Sequence, residues 1–183
     1  MKIMLLLGSS RKKGNSEQLA QDVLKDVPHT EVFLHDKTMN PIIDKRHTAG
    51  GFTRVDDDYE ELLQQFLAHD IVIFATPLYW FGMSGQMKTF FDRWSQYLRD
   101  ERFDLKAKLA EKKAYVIITG NKPDPKVSAL PLIMQFNAIF QYVDMSFDDY
   151  LIGTGNKPGE VFTDSEAFQK ARLWNERFLA FKQ

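Results

Sequence analysis

Residues 2–7, KIMLLL, carry a continuous apolar run, the pattern of a strand covered on both faces. From about Ser16 the period changes. Leu19, Ala20, Val23, Leu24 and Val27 share a helical face, and Pro28 ends it. TEVFLH (30–35) predicts a second strand. Residues 36–55 carry no regular pattern and contain Pro41 and the Gly50-Gly51 pair; an irregular stretch of that length in a compact domain is usually functional or interfacial. Asp58 and Glu61 have capping-box spacing ahead of a helix through Tyr59, Leu62, Leu63, Phe66 and Leu67. DIVIFATP (70–77) predicts a third buried strand. A strong amphipathic helix follows over 84–98, with Met87, Phe90, Phe91, Trp94 and Leu98 inside. KKAYVIITG (112–120) predicts the fourth strand. A helix over 127–142 should bend or restart at Pro131. The fifth strand is expected over 142–153, interrupted near Asp148. Asp164 or Ser165 should cap a last helix carrying Phe168, Ala171, Trp174 and Phe178 on one face.

Strand and helix thus alternate, which predicts a mostly parallel sheet with helices on both faces, in a single domain spanning 1–183. In such sheets ligands sit beyond the carboxyl ends of the strands, near the switch in strand order. The polar loops after strands one, three and four fall there.

Composition narrows the chemistry. Lys and Arg (24) nearly balance Asp and Glu (25), so no basic excess is available for a phosphate backbone, and no nucleic-acid partner is expected. The chain has no cysteine, which excludes disulfides, thiolate catalysis, cysteine-ligated zinc and all-cysteine iron–sulfur centres. The apolar start is too short for a membrane span or signal peptide, so a cytoplasmic protein without a membrane partner is expected. Many of the 15 phenylalanines must simply fill core, but a surplus also suits an interface or a pocket for a flat ligand.

The first loop, GSSRKKGNS (8–16), has the composition of an anion cradle. Gly8 can leave the strand with unusual dihedrals, and Gly14 permits close backbone approach. Ser9, Ser10, Asn15 and Ser16 offer hydroxyl and amide donors, the following helix start offers unpaired N–H groups, and Arg11 adds a guanidinium. A solvated polar turn with Ser16 as a helix cap is the alternative. No GxGxxG, no GxxxxGK[ST] and no GxSxG occurs there, so a monophosphate fits better than a dinucleotide or triphosphate. Beyond strand three, Pro77, Leu78, Tyr79, Trp80, Phe81 and Gly82 place apolar and aromatic groups in a loop that should be exposed. A flat heteroaromatic ring would cover them; a dimer contact is the compatible alternative.

GSSRKKGNS, TPLYWFGMSGQMKTFFDR (76–93) and the Thr119-Gly120 pair together resemble the flavodoxin-like NAD(P)H-dependent FMN reductases, a group that includes small flavin reductases, quinone reductases and iron–sulfur flavoproteins. The resemblance spans nearly the whole chain. It implies a flavodoxin-like three-layer sandwich with a five-stranded parallel sheet and FMN as cofactor. Ser9, Arg11, Asn15 and Ser16 would hold the phosphate, with Gly14 permitting the turn. Pro77, Leu78, Tyr79 and Trp80 would line the ring and ribityl chain, Phe81 and Gly82 would complete the loop, and Thr119 and Gly120 would approach the ring from the fourth strand. It further implies hydride transfer from NAD(P)H to the flavin and on to a flavin, quinone or similar small acceptor, in a homodimer. No side chain is singled out as acid or base. The iron–sulfur branch carries closely spaced cysteines after the second strand; here that stretch has none, so no cluster is expected. Asp44 and His47 lie there, but two ligands on an irregular loop make no metal site, and none is expected. Lys12 and Lys13 could favour NADPH through its extra phosphate, or simply be solvated. A flavodoxin-type electron carrier is the rival reading, although a net charge of -1 offers no strong steering surface.

Overall fold

The computed structural model describes residues 1–121 and 124–181. In chain order, the first half contains β1 (Ile3–Leu7), α1 (Asn15–Val23), β2 (Thr30–Phe33), α2 (Tyr59–Leu67), β3 (Ile71–Pro77), α3 (Gly85–Asp92) and α4 (Trp94–Tyr97). The second half contains α5 (Leu105–Ala110), β4 (Lys113–Gly120), α6 (Pro125–Ser128), α7 (Leu130–Tyr142), β5 (Ser146–Thr154) and α8 (Ser165–Ala180). The strands form one five-stranded parallel sheet in the order β2-β1-β3-β4-β5. The order reverses between β1 and β3, so the ligand crevice of this architecture lies over their carboxyl ends.

The continuous apolar strands follow from burial on both sides. Met4 and Leu6 of β1 face a core that includes Phe66, Phe74, Phe90, Trp94, Phe136 and Phe140. Ile3, Leu5 and Leu7 face the opposite core, built with α1 and α8 around Leu19, Trp174 and Phe178. Most of the phenylalanine surplus therefore fills core: Phe74 sits within 5.2–6.3 Å, centroid to centroid, of Phe66, Phe91, Phe136 and Phe140.

The Pro131 break appears as the expected restart, with α6 ending at Ser128 and α7 carrying the proline in its first turn. β5 begins at Ser146 rather than 142, because α7 runs on through Tyr142; its register against β4 skips Asp148. Asp164 caps α8, its carboxylate accepting from the Ala167 N–H at 3.0 Å. The Asp58–Glu61 capping box does not form. Asp58 accepts instead from Thr38 N–H, while Asp57 accepts from Tyr59 N–H. The helix expected over 84–98 divides at Arg93, whose guanidinium turns inward onto Asn40 and Asp57.

Gly8 is a glycine for packing rather than for unusual dihedrals. Its N–H continues the ladder to Ala75 O at 2.8 Å, and a Cβ there would stand 2.9 Å from both Met87 Cε and Ser84 Oγ. Gly8→Ala should therefore destabilise the protein by about 1–3 kcal/mol through overpacking, read as a lower urea midpoint at unchanged m-value.

Candidate cofactor site

The β1–α1 loop bends over the end of β1 on its own hydrogen bonds. The Ser9 hydroxyl accepts from Arg11 N–H and donates to Arg11 C=O, both at 3.0 Å. Lys13 takes the left-handed conformation at φ 57°, with its N–H on the Glu17 carboxylate. Gly14 has ordinary extended dihedrals; what it permits is close approach, because a Cβ would lie 3.3 Å from Arg11 O and 3.4 Å from Ser9 Oγ. Gly14 is also the N-cap residue of α1, so no side chain caps that helix. The N–H groups of the first turn have no intrahelical acceptor and point out of the helix end, the arrangement that receives an anion. Ser16 does not act as the cap. It is buried within the first turn, and its hydroxyl has no partner among the described residues. Arg11 is exposed, and its guanidinium likewise has no partner among them.

Asn15 departs from the phosphate role expected of it. Its Nδ2 donates to Lys157 O at 3.0 Å, and its Oδ1 accepts from Gly159 N–H at 3.0 Å and Val161 N–H at 3.3 Å. The side chain pins the loop after β5 against the start of α1.

After β3, Tyr79 and Gly82 exchange backbone hydrogen bonds at 3.0 and 2.9 Å across a tight turn. Trp80 and Phe81 occupy its centre at φ 49° and 63°. Positive φ at both central positions is the type I′ pattern, normally filled by Asn and Gly. The turn directs Trp80 outward, 96% exposed. Phe81→Gly should relieve about 1 kcal/mol of left-handed strain, raising the urea midpoint of the cofactor-free protein.

Ser9, Arg11, Gly14, Asn15 and Ser16 line one cavity of about 160 Å³ together with Pro77, Leu78 and Tyr79 from the β3 end. Thr119 and Gly120 close it from β4. Trp80, Phe81 and Gly82 are not brought to its wall; they form the outer turn beside it. Gly120 is needed for close approach, since a Cβ would meet Pro125 Cβ at 2.9 Å and Leu78 Cδ2 at 3.3 Å.

Asn121, Gly155 and Asn156 also line the cavity and were not anticipated. A signal for them was present: β4 and β5 both end in TGNKP, at 119–123 and 154–158, and the strands pair in parallel with Gly120 opposite Thr154. The same short sequence thus ends two neighbouring strands on the crevice. The described residues Asn121, Gly155 and Asn156 bring it to the wall. Elsewhere, Lys12 pairs with Asp36 at 2.7 Å, and that hydrogen bond holds its ammonium more firmly protonated than usual. Asp44 is engaged by Arg46 at 2.7 and 2.9 Å.

A family profile described as flavodoxin-like fold matches residues 1–176. The chain belongs to that family. It is 45% identical over 172 residues, covering 93% of this chain and 94% of the relative, to the Bacillus subtilis (strain 168) protein YwqN, named provisionally as an NAD(P)H-dependent FMN-containing oxidoreductase. It is 30% identical to an iron–sulfur flavoprotein of Archaeoglobus fulgidus, over 88% of this chain and 72% of that one. Among solved structures, one titled as the Trp repressor binding protein of Bacillus subtilis superposes with a TM-score of 0.78 at 39% identity, covering 93% of this chain and 95% of that chain. The FMN-dependent NADH-azoreductase of Bacillus anthracis shares the fold at a TM-score of 0.71 and 14% identity, over 97% and 99% of the two chains. Unlike a cysteine-ligated cluster protein, this flavodoxin-like chain has no cysteine.

Proposed function

We propose that this protein is an FMN-dependent oxidoreductase that takes reducing equivalents from NAD(P)H and passes them to a flavin, quinone or similar small acceptor. One observation carries the reading: residues from the ends of β1, β3 and β4, far apart in sequence, converge on a single cavity at the β1/β3 switch, beside a helix start that no side chain caps. The residues present fit the cofactor. Ser16, Arg11 and the first-turn N–H groups of α1 would hold its phosphate through charge-assisted hydrogen bonds. Pro77, Leu78 and Tyr79 would wall its apolar part, and Thr119 and Gly120 would bring backbone close on the other side. Bound FMN supplies hydride and electron transfer; the chain supplies orientation and an apolar wall. The similarity to YwqN supports the donor class.

The test is anaerobic mixing of the FMN-loaded protein with NADPH and, separately, NADH. Rapid bleaching of the flavin's visible absorbance with either nucleotide is expected. Bleaching by dithionite alone would overturn the reading in favour of an electron carrier.

Trp80 at the tip of an exposed turn also supports a homodimer with that turn at the interface. Light scattering should return the mass of two chains; Trp80→Ser should reduce it to one.

A further inference from the structure

A second cavity, of about 420 Å³, lies across the start of α1 from the cofactor cavity. The two share no residue but interleave along the chain: Gly14, Asn15 and Ser16 line the first, whereas Lys13, Glu17 and Gln18 line the second. Its far wall is an aromatic pair. Phe162 stacks on Phe168 with centroids 5.6 Å apart and planes 28° from parallel, yet remains 61% exposed. One ring of the pair is therefore open to a further layer. Lys13 and Lys25 also line the cavity, and neither ammonium has an ion-pair partner among the described residues.

The charge balance says what kind of ligand fits. Glu17 and Asp22 offset the two lysines, so a bare polyanion gains little net attraction. Glu17 is already engaged by the Lys13 N–H, and Gln18 uses its Oε1 on Gly159 N–H, which leaves its NH₂ free to donate. Asp22 Oδ2 is itself buried, with no hydrogen-bond partner among the described residues, so Asp22 contributes charge to the cavity rather than an open acceptor at that oxygen. A stacking face, two cations without ion-pair partners among the described residues and an amide donor match a group that joins a flat base to phosphate.

We propose that this cavity is a subsite for an adenosine diphosphate group, with the base on Phe162 and the phosphates at Lys13 and Lys25. The inference deepens the functional reading above and rests on it for the source of the group, which is either NAD(P)H or a flavin carrying an adenylate.

Calorimetric titration of the FMN-saturated protein with ADP tests the site. Saturable one-to-one binding is expected, weakened about tenfold by Phe162→Ala through loss of the stack and about fivefold by Lys13→Asn, which removes the charge while tolerating the left-handed backbone. Phe162→Ala should leave FMN affinity unchanged. Two further arms separate the sources. If Phe162→Ala weakens FAD but not FMN, the group belongs to a flavin; if it raises the KM for NAD(P)H and leaves both flavins alone, it belongs to the donor. No saturable ADP binding, wild-type ADP affinity in Phe162→Ala, or pyrophosphate binding as tightly as ADP each overturns the proposal. Failure of the wild type to bind FMN would instead strike the functional reading, and ADP binding to the apo protein would still be read independently.

Discussion

Ser16→Asp should lower FMN affinity about a hundredfold or more while leaving the fold intact. Ser16 is 1% exposed and lines the cavity in the first turn of α1. A carboxylate there would face the phosphate across a short, poorly solvated gap, and like charges so placed cost several kcal/mol, about 1.4 kcal/mol for each tenfold in affinity. The same carboxylate sits well for the apo protein, because an acid in the first helical turn meets the positive end of the helix dipole and can accept from an uncapped N–H. The thermal midpoint without FMN should hold or rise while FMN titration weakens. Equal losses in both measurements would mean that Ser16 is structural and that the phosphate lies elsewhere.

Arg93→Met should cost about 3–5 kcal/mol of folding stability, the penalty for leaving one charge of a buried pair behind. Arg93 Nη1 lies 2.6 Å from Asp57 Oδ2, and both side chains are 1% exposed. Nη1 also donates to Asn40 O at 2.9 Å, and the guanidinium lies 4.5 Å from the centroid of the Tyr59 ring. Asp57 in turn accepts from Asn40 N–H and Tyr59 N–H. One ion pair thus stitches the base of the long 36–58 segment to the helix layer. The effect is read by urea unfolding of the apo protein.

The pair also predicts acid sensitivity. Burial pushes the Asp57 pKa up, but the hydrogen bonds from Arg93, Asn40 and Tyr59 outweigh it and hold the carboxyl below its ordinary value of 3.8. A depressed folded pKa contributes stability that is complete above the unfolded value and is lost as pH falls through the folded one. Asp57→Asn should flatten that part of the stability curve below about pH 4, whereas wild-type curvature in the variant would place the acid transition elsewhere.

The repeated exchange of short apolar runs for helical periods was enough to count five strands and to require cover on both sheet faces. It also pointed to two loops whose residues converge on one cavity. Residues 8–16 and 76–82 carry donors, glycines and aromatics where strands one and three end, and the family resemblance rests on them. Those features are local, so a linear chain records them.

Three others depended on what lies behind each residue. Asp57, not Asp58, serves the start of α2, because Arg93 approaches from a helix distant in sequence. Asn15 is drawn to Lys157, Gly159 and Val161 because β5 delivers that loop beside α1. Trp80 and Phe81 turn away from the cavity because the backbone between Tyr79 and Gly82 takes positive φ twice. Hydrophobic periodicity reports burial along one element. It carries neither the sign of φ in a turn nor which carboxylate a distant guanidinium will reach, and those are settled only when the strands pair in register and bring their loops together.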